Sequence, residues 1–372
     1  MTRLSRHSHA RNSPRTFIGA LFIVGIGYAL AFFVSDVSYI PSFADVVSYQ
    51  GSERREALRP FVAAVASTGS DAARTQNDSI RVIAVGDIML DRGVKFIVGK
   101  AGDGDPYFPF AHIRNIISPA DIAFGNLEGP VSDMGNNVGS IYSFRMPIEN
   151  VRVLEDVGFD VFSFANNHVG DWNIDAFTDT LRRFTGSRVG LTGAGMTADA
   201  AERPVVRDIG GTRIGFIGFS DVGPNWLKAT SERPGINIAS EEDIDRIVRQ
   251  ASAQVDILLV SFHFGEEYQT TANARQRALA YVAVDAGADA VIGHHPHVGQ
   301  EVEEYRGALI AYSLGNFVFD QRFSEDTSKG LLLELTIIDR QIKAYTINEL
   351  NFNAYFQPLP TWDTSTMTTS NN

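Results

Sequence analysis

Six stretches of this chain repeat one pattern: a short apolar run of strand character gives way, at its carboxyl side, to a polar cluster. Arg81–Val85 runs into Gly86-Asp87-Ile88-Met89-Leu90-Asp91-Arg92, and Ile122–Phe124 into Gly125-Asn126-Leu127-Glu128-Gly129-Pro130. Val161–Phe164 runs into Ala165-Asn166-Asn167-His168, and Ile257–Phe262 into His263-Phe264-Gly265-Glu266-Glu267-Tyr268. Ala290–Ile292 leads into Gly293-His294-His295-Pro296-His297, and Leu309–Ser313 into Leu314-Gly315-Asn316-Phe317. Val189–Leu191, Arg213–Phe219 and Leu331–Ile338 are further candidate strands. Helical stretches cover Ile174–Phe184, Glu241–Ala253 and Ala274–Ala286. The second opens on Ser240-Glu241-Glu242-Asp243, a cap followed by acids that suit the positive end of a helix. Such alternation predicts an α/β fold with a largely parallel sheet. The last strands have no helix between them, which predicts antiparallel additions at the carboxyl end. Parallel strands deliver their carboxyl ends to one edge, where open α/β folds keep their ligand crevices.

Taken singly, each cluster has an ordinary explanation. Gly-Asp after a strand is a good turn, Asn167 can cap a helix, and His263 can be a partly buried imidazole. The His294-His295-Pro296-His297 run can be a surface cluster. Six independent turns do not account for six clusters in register. The chain has only 8 histidines, and His168, His263, His294, His295 and His297 all sit at or near predicted strand ends. Acids, amides and neutral imidazoles in one crevice are the composition of a dinuclear hydrolytic site. Cysteine is absent, so His, Asp, Glu and Asn must hold any metal, which suits Mn, Fe, Zn or Mg. A net charge of −12 argues against nucleic acid as a partner, because phosphate binding needs a basic face.

The amino terminus reads differently. Residues 1–16 carry Arg3, Arg6, Arg11 and Arg15 and no acid, and Phe17–Val34 is free of charge. That length is near the minimum for crossing a bilayer as a helix. Basic residues before it and Asp36 after it predict a cytoplasmic amino terminus, with the rest of the chain extracytoplasmic. A cleaved signal peptide is the alternative. The expected organisation is a cytoplasmic basic tail (1–16), a single-pass anchor in the cell membrane (17–34), a tether (35–79), a folded domain (80–353) and a flexible tail (354–372) rich in Thr, Ser and Asn.

The order of the clusters resembles the calcineurin-like metallophosphoesterases, and more closely the CapA family of bacterial poly-γ-glutamate capsule synthesis. The resemblance rests on Gly86-Asp87-Ile88-Met89-Leu90, Asn126-Leu127-Glu128-Gly129-Pro130, Asn166-Asn167-His168, His263-Phe264-Gly265, Gly293-His294-His295-Pro296-His297 and Ser313-Leu314-Gly315-Asn316-Phe317. It implies layered β-sheets flanked by helices and one or two divalent ions. It assigns Asp87, Glu128, Asn167, His263, His295 and His297 to the metal, with Glu128 as the acid in the bridging position and Asn126 the alternative residue there. His168 would be the catalytic general acid, or would hold charge that develops on the transferring group. Asn126, Asn166, Asp171, Glu266, His294 and Asn316 would support the ligands or the substrate. The chain departs from the phosphoesterase pattern at Asp87-Ile88-Met89, where the superfamily has Asp-x-His. A thioether is a poor ligand for a hard ion, so one metal position is expected to be weakened or lost, leaving a mononuclear site or a different metal pair. The implied partners are the membrane, an acidic polymer or its precursor, and other capsule-synthesis membrane proteins. A non-catalytic subunit of a synthesis or export complex and a general extracellular phosphoesterase are the competing functions.

Overall fold

The computed structural model describes residues 79–363. The predicted basic tail, anchor and nearly all of the tether lie outside the described residues, as do residues 364–372. Among the described residues no helix is long and apolar enough to cross a membrane.

In chain order the strands are β1 (Ile80–Ile88), β2 (Ile122–Leu127), β3 (Val161–Ser163), β4 (Gly190–Thr192), β5 (Ala194–Gly195), β6 (Val205–Ile209), β7 (Thr212–Ser220), β8 (Gly235–Ile236), β9 (Ile257–His263), β10 (Ala290–His294), β11 (Val302–Tyr305), β12 (Ala308–Ala311), β13 (Asn316–Val318), β14 (Lys329–Ile338), β15 (Gln341–Phe352) and β16 (Pro358–Pro360). Two large sheets result. The first has the order β16-β15-β14-β1-β2-β3-β4, with β13 also pairing β1. Its β1–β4 half is parallel, and β14–β16 are the antiparallel additions expected from the sequence. The second has the order β11-β12-β10-β9-β7-β6, parallel from β7 to β12.

Side-chain alternation stacks the sheets. Val82 and Ala84 of β1, Ile122 and Phe124 of β2, Ile257 and Leu259 of β9, and Ala290 and Ile292 of β10 form one apolar layer between them. The alternate residues face outward. Ile83, Val85 and Ala123 pack against the helices beside the first sheet, and Leu258, Val260 and Val291 against helices Glu241–Ser252 and Ala274–Asp285. A period of two therefore writes a four-layer α/β/β/α domain.

The same alternation aims the site. Asn126, His263 and His294 fall on the parity that faces the other sheet, each at the carboxyl end of its strand. Asp87 would fall on the wrong parity. Register shifts in β1 between Ala84 and Asp87, and again after Asp87, correct this. Beyond the first shift Ile88 has joined the outer cluster, and Asp87 turns inward, as a β-bulge allows. The glycines on either side of the crevice permit close approach. A Cβ on Gly293 would stand 1.9 Å from the Tyr312 carbonyl oxygen, and one on Gly86 1.9 Å from that of Gly315.

The domain runs past the predicted end at Asn353. Pro358–Pro360 forms β16 at the sheet edge rather than a loose tail. Proline is tolerated there because its missing N–H faces away from a partner strand. Gln357, just before it, is buried and donates from Nε2 to the Phe108 carbonyl (2.6 Å).

Candidate metal centre

The predicted ligands converge. Asp87 is fully buried between the sheets and lies in register with Asn126 on one side and Asn316 on the other. Its Oδ1 accepts from Asn126 Nδ2 (2.8 Å), and its Oδ2 accepts from the His295 backbone N–H (3.2 Å). His294 Nδ1 stands 3.3 Å from Oδ1 and His297 Nδ1 3.4 Å from Oδ2. Asn126 Nδ2 also reaches Glu128 Oε2 (3.3 Å), and its Oδ1 accepts from Asn166 Nδ2 (3.1 Å). Asn126 thus ties the two carboxylates together as a donor. It is Glu128 that keeps a free oxygen: Oε1 is buried and has no hydrogen-bond partner. His297 Nε2 and His168 Nε2 face that oxygen at 3.7 and 3.8 Å.

From the second sheet, His263 Nε2 lies 2.8 Å from Asn167 Oδ1. The His295 ring is 4.8 Å from that of His263 and 6.1 Å from that of His297. His295 Nδ1 is buried and unpartnered. Both His295 (φ 99°) and His297 (φ 58°) sit in the left-handed region, a backbone cost that tends to be kept where it positions functional groups. Asn316 Oδ1 faces His297 Nδ1 at 3.0 Å, which leaves Nε2 turned toward Glu128. We expect Asn316→Ala to weaken divalent-cation affinity roughly 10–100-fold without unfolding the domain, as loss of an orienting partner does. Calorimetric titration checks this, and an unchanged affinity refutes it.

Burial pushes the Asp87 carboxyl up, but the His294 and His297 imidazoles outweigh it and hold the group well below the usual carboxylate range. Glu128 goes the other way: burial first, then the charges of Asp87, Glu267 and Asp171, lift it well above. Burial lowers His263 well below the ordinary imidazole value, and lowers His295 to about 4, with His297 adding to the latter. Neutral rings beside two buried carboxylates are a donor set that a cation would neutralise. The orphaned Glu128 Oε1 and His295 Nδ1 give such an ion open donors. Asp87, Glu128 and His297 place one donor atom each within 4.8 Å of the others.

The supporting residues fall less evenly. Asp171 Oδ2 pairs with His168 Nδ1 (2.8 Å) and accepts from the Phe144 backbone N–H (2.9 Å), while the Phe144 ring lies 3.9 Å from the imidazole. His168 is thereby fixed with Nε2 toward Glu128. His294 is fully buried, and neither of its ring nitrogens makes a hydrogen bond of good geometry. It packs between Asp87 and the Phe124 ring. Met89, the residue two after Asp87, is fully buried with Phe144 and Phe319, so its side chain serves packing. Glu266 does not take the expected supporting place: it is exposed, with no imidazole partner. Its neighbour Glu267 is the one that lies near the imidazoles, with a carboxylate oxygen within 4.8 Å of ring nitrogens of His295 and His297. Two adjacent glutamates in a loop carry no periodicity that could tell them apart.

Comparison with known proteins follows the same residues. A family model described as "Bacterial capsule synthesis protein PGA_cap" matches residues 81–321, which hold every residue of the crevice. The chain belongs to this family. "PGA biosynthesis protein CapA" of Bacillus subtilis (strain 168) is 35% identical over 259 residues, covering 69% of this chain and 67% of that protein. "Capsule biosynthesis protein CapA" of Bacillus anthracis is 34% identical over 268 residues, covering 69% of this chain and 64% of its own length. A solved calcineurin-like phosphoesterase from Bacillus subtilis aligns at 14% identity with a TM-score of 0.42, covering 73% of this chain and 90% of that one. Likeness at that level transfers no activity. In this PGA_cap member the six polar clusters, which lie far apart in the chain, close on one crevice.

Proposed function

We propose that this protein acts in the synthesis or export of poly-γ-glutamate capsule polymer, as a metal-dependent hydrolase or transferase of calcineurin-like fold. In this reading it is anchored in the cell membrane by the segment 17–34, with the folded domain extracytoplasmic. It works on the acidic polymer or its precursor beside other capsule-synthesis proteins. Family membership and the two CapA relatives support the process. The observation that supports the chemistry is the grouping of Asp87, Glu128 and His297, with His295 beside His263 and His263 beside Asn167, and with buried donor atoms left open at Glu128 and His295.

These six residues would hold one or two divalent ions of the Mn, Fe, Zn or Mg class. Bound there, such an ion polarises a phosphoryl or acyl oxygen and makes water a better nucleophile. The chain's own groups do the rest. Asp171 fixes the tautomer and angle of His168, so that Nε2 faces the crevice and can pass a proton to a leaving group. Phe144, Phe319 and Met89 form an apolar wall beside it that limits water access. Asn126 bridges the two carboxylates, and Asn166 holds Asn126 in place.

One observation favours a second reading, a non-catalytic subunit: Met89 stands where the superfamily pattern has an imidazole. His295→Ala separates the two. We expect the variant to lose metal by elemental analysis and to lose polymer production in cells. A variant that loses its metal yet sustains full production establishes the non-catalytic subunit instead.

A further inference from the structure

Two groups of donors in the crevice could hold a cation, and both draw on His297. One, Asp87–Glu128–His297, is buried throughout. The other, Glu267–His295–His297, has its carboxylate at the surface. Nδ1 of His297 faces Asn316 Oδ1, so its remaining Nε2 would bind one ion only, and an ion beside Asp87 and Glu128 would be completed by other donors of the crevice. We propose that Glu267 is a metal ligand, completing with His295 and His297 a second, solvent-facing position for a divalent cation. This rests on the metal-centre reading above and extends it to a residue that no motif of the chain assigned.

Contacts of the neighbouring Tyr268 fix the backbone of the loop that carries Glu267. Glu267 follows Gly265, whose φ of 94° ends β9, and precedes Tyr268, which holds the left-handed φ of 65°. Tyr268 donates its backbone N–H to the Pro296 carbonyl (2.8 Å). Its ring lies over that of His297 at 6.2 Å. Its hydroxyl accepts from Gln321 Nε2 (3.3 Å). The loop bearing Glu267 is therefore pinned to the turn bearing both histidines. On the other side, His295 is only 6% exposed, and its Nδ1 has no hydrogen-bond partner. A buried, unsatisfied ring nitrogen is costly unless something occupies it. A carboxylate and two imidazoles form a common three-ligand set for a divalent ion that keeps a position open. Glu267 is exposed, so a cation held there would stand at the solvent edge of the crevice.

The arrangement also bears on Met89. The thioether packs with Phe144 and Phe319 and offers no imidazole. Glu267 brings a hard oxygen donor into the same crevice from a different loop, which suits Mn or Mg better than a soft ligand would.

The test uses the full-length protein in detergent, titrated with Mn as the probe, with metal equivalents and electron paramagnetic resonance as readouts. Wild type should bind two equivalents and show the coupled spectrum of neighbouring ions. Glu267→Gln should lose one equivalent, or bind it roughly 10–100-fold more weakly, and show an isolated-ion spectrum. Glu266→Gln, one residue away and outside the cluster, should match wild type. If Glu267→Gln matches wild type, or if both variants weaken equally through surface charge, the assignment of Glu267 is overturned while the buried centre stands. If wild type itself binds no Mn, the metal-centre reading falls with it.

Discussion

Asp87→Asn should abolish metal binding at the buried position and with it the activity of the protein. The side chain is fully buried, and its two oxygens accept from Asn126 Nδ2 and the His295 N–H while facing His294 and His297. An amide of the same shape must turn an NH2 toward one of those donors, so a repulsive contact replaces a hydrogen bond. It also removes the one carboxylate that its imidazole neighbours hold well below the usual range. Since loss of a residue that merely orients a ligand costs about 10–100-fold, loss of this central charge should lower cation affinity by more than about 100-fold. Stability gives a second readout. A cation at a hundred times its Kd stabilises the folded state by about 2.7 kcal/mol, and this increment should vanish in the variant. Melting curves with and without added Mn measure it. Should the variant show the wild-type shift in Tm, Asp87 is not a ligand.

His168→Ala should separate chemistry from metal binding. Nδ1 is committed to Asp171, and Nε2 is the atom that faces Glu128 Oε1 across 3.8 Å. A positioned general acid is worth about 10²–10⁴-fold in rate. The expected result is a fall of that size in kcat and kcat/KM alike, with metal content unchanged, the pattern of a group that acts in the transition state. Hydrolysis of a simple phosphate ester with added Mn, alongside polymer production in cells, reads the rate, and elemental analysis reads the metal. A variant that loses its cation would make His168 a ligand. A variant with undiminished turnover would remove it from the mechanism.

Much of the molecule was legible in advance because it follows from period and parity. The runs of β1, β2, β3, β9, β10 and β12 are apolar on both faces, as buried parallel strands must be, and their polar ends had one edge to share. Shorter or exposed elements were not legible. β15 (Gln341–Phe352) mixes polar and apolar residues because one face meets water, and its turn, Asp339-Arg340, has both φ values positive (53° and 59°) without a glycine to announce it. β13 is three residues long and pairs with β1 across more than two hundred residues of chain. Nothing local predicts that it sets Asn316 beside Asp87. Helices Arg92–Lys100 and Asn150–Val157 start directly from polar segments, and their short apolar faces did not stand out.

The linear order of residues determined the α/β class, the antiparallel carboxyl-terminal strands, and the polar side chains that the strand ends carry, because buried strands demand particular side chains and leave the polar ones to their ends. Tertiary structure alone decided which way those donors point. A bulge in β1 reverses the parity of Asp87, left-handed backbone at His295 and His297 sets the direction of two buried rings, and the loop tied by Tyr268 to Pro296 brings Glu267, not Glu266, near His295 and His297. Each of these choices is a one-residue change in direction, enforced by contacts between segments far apart in the chain.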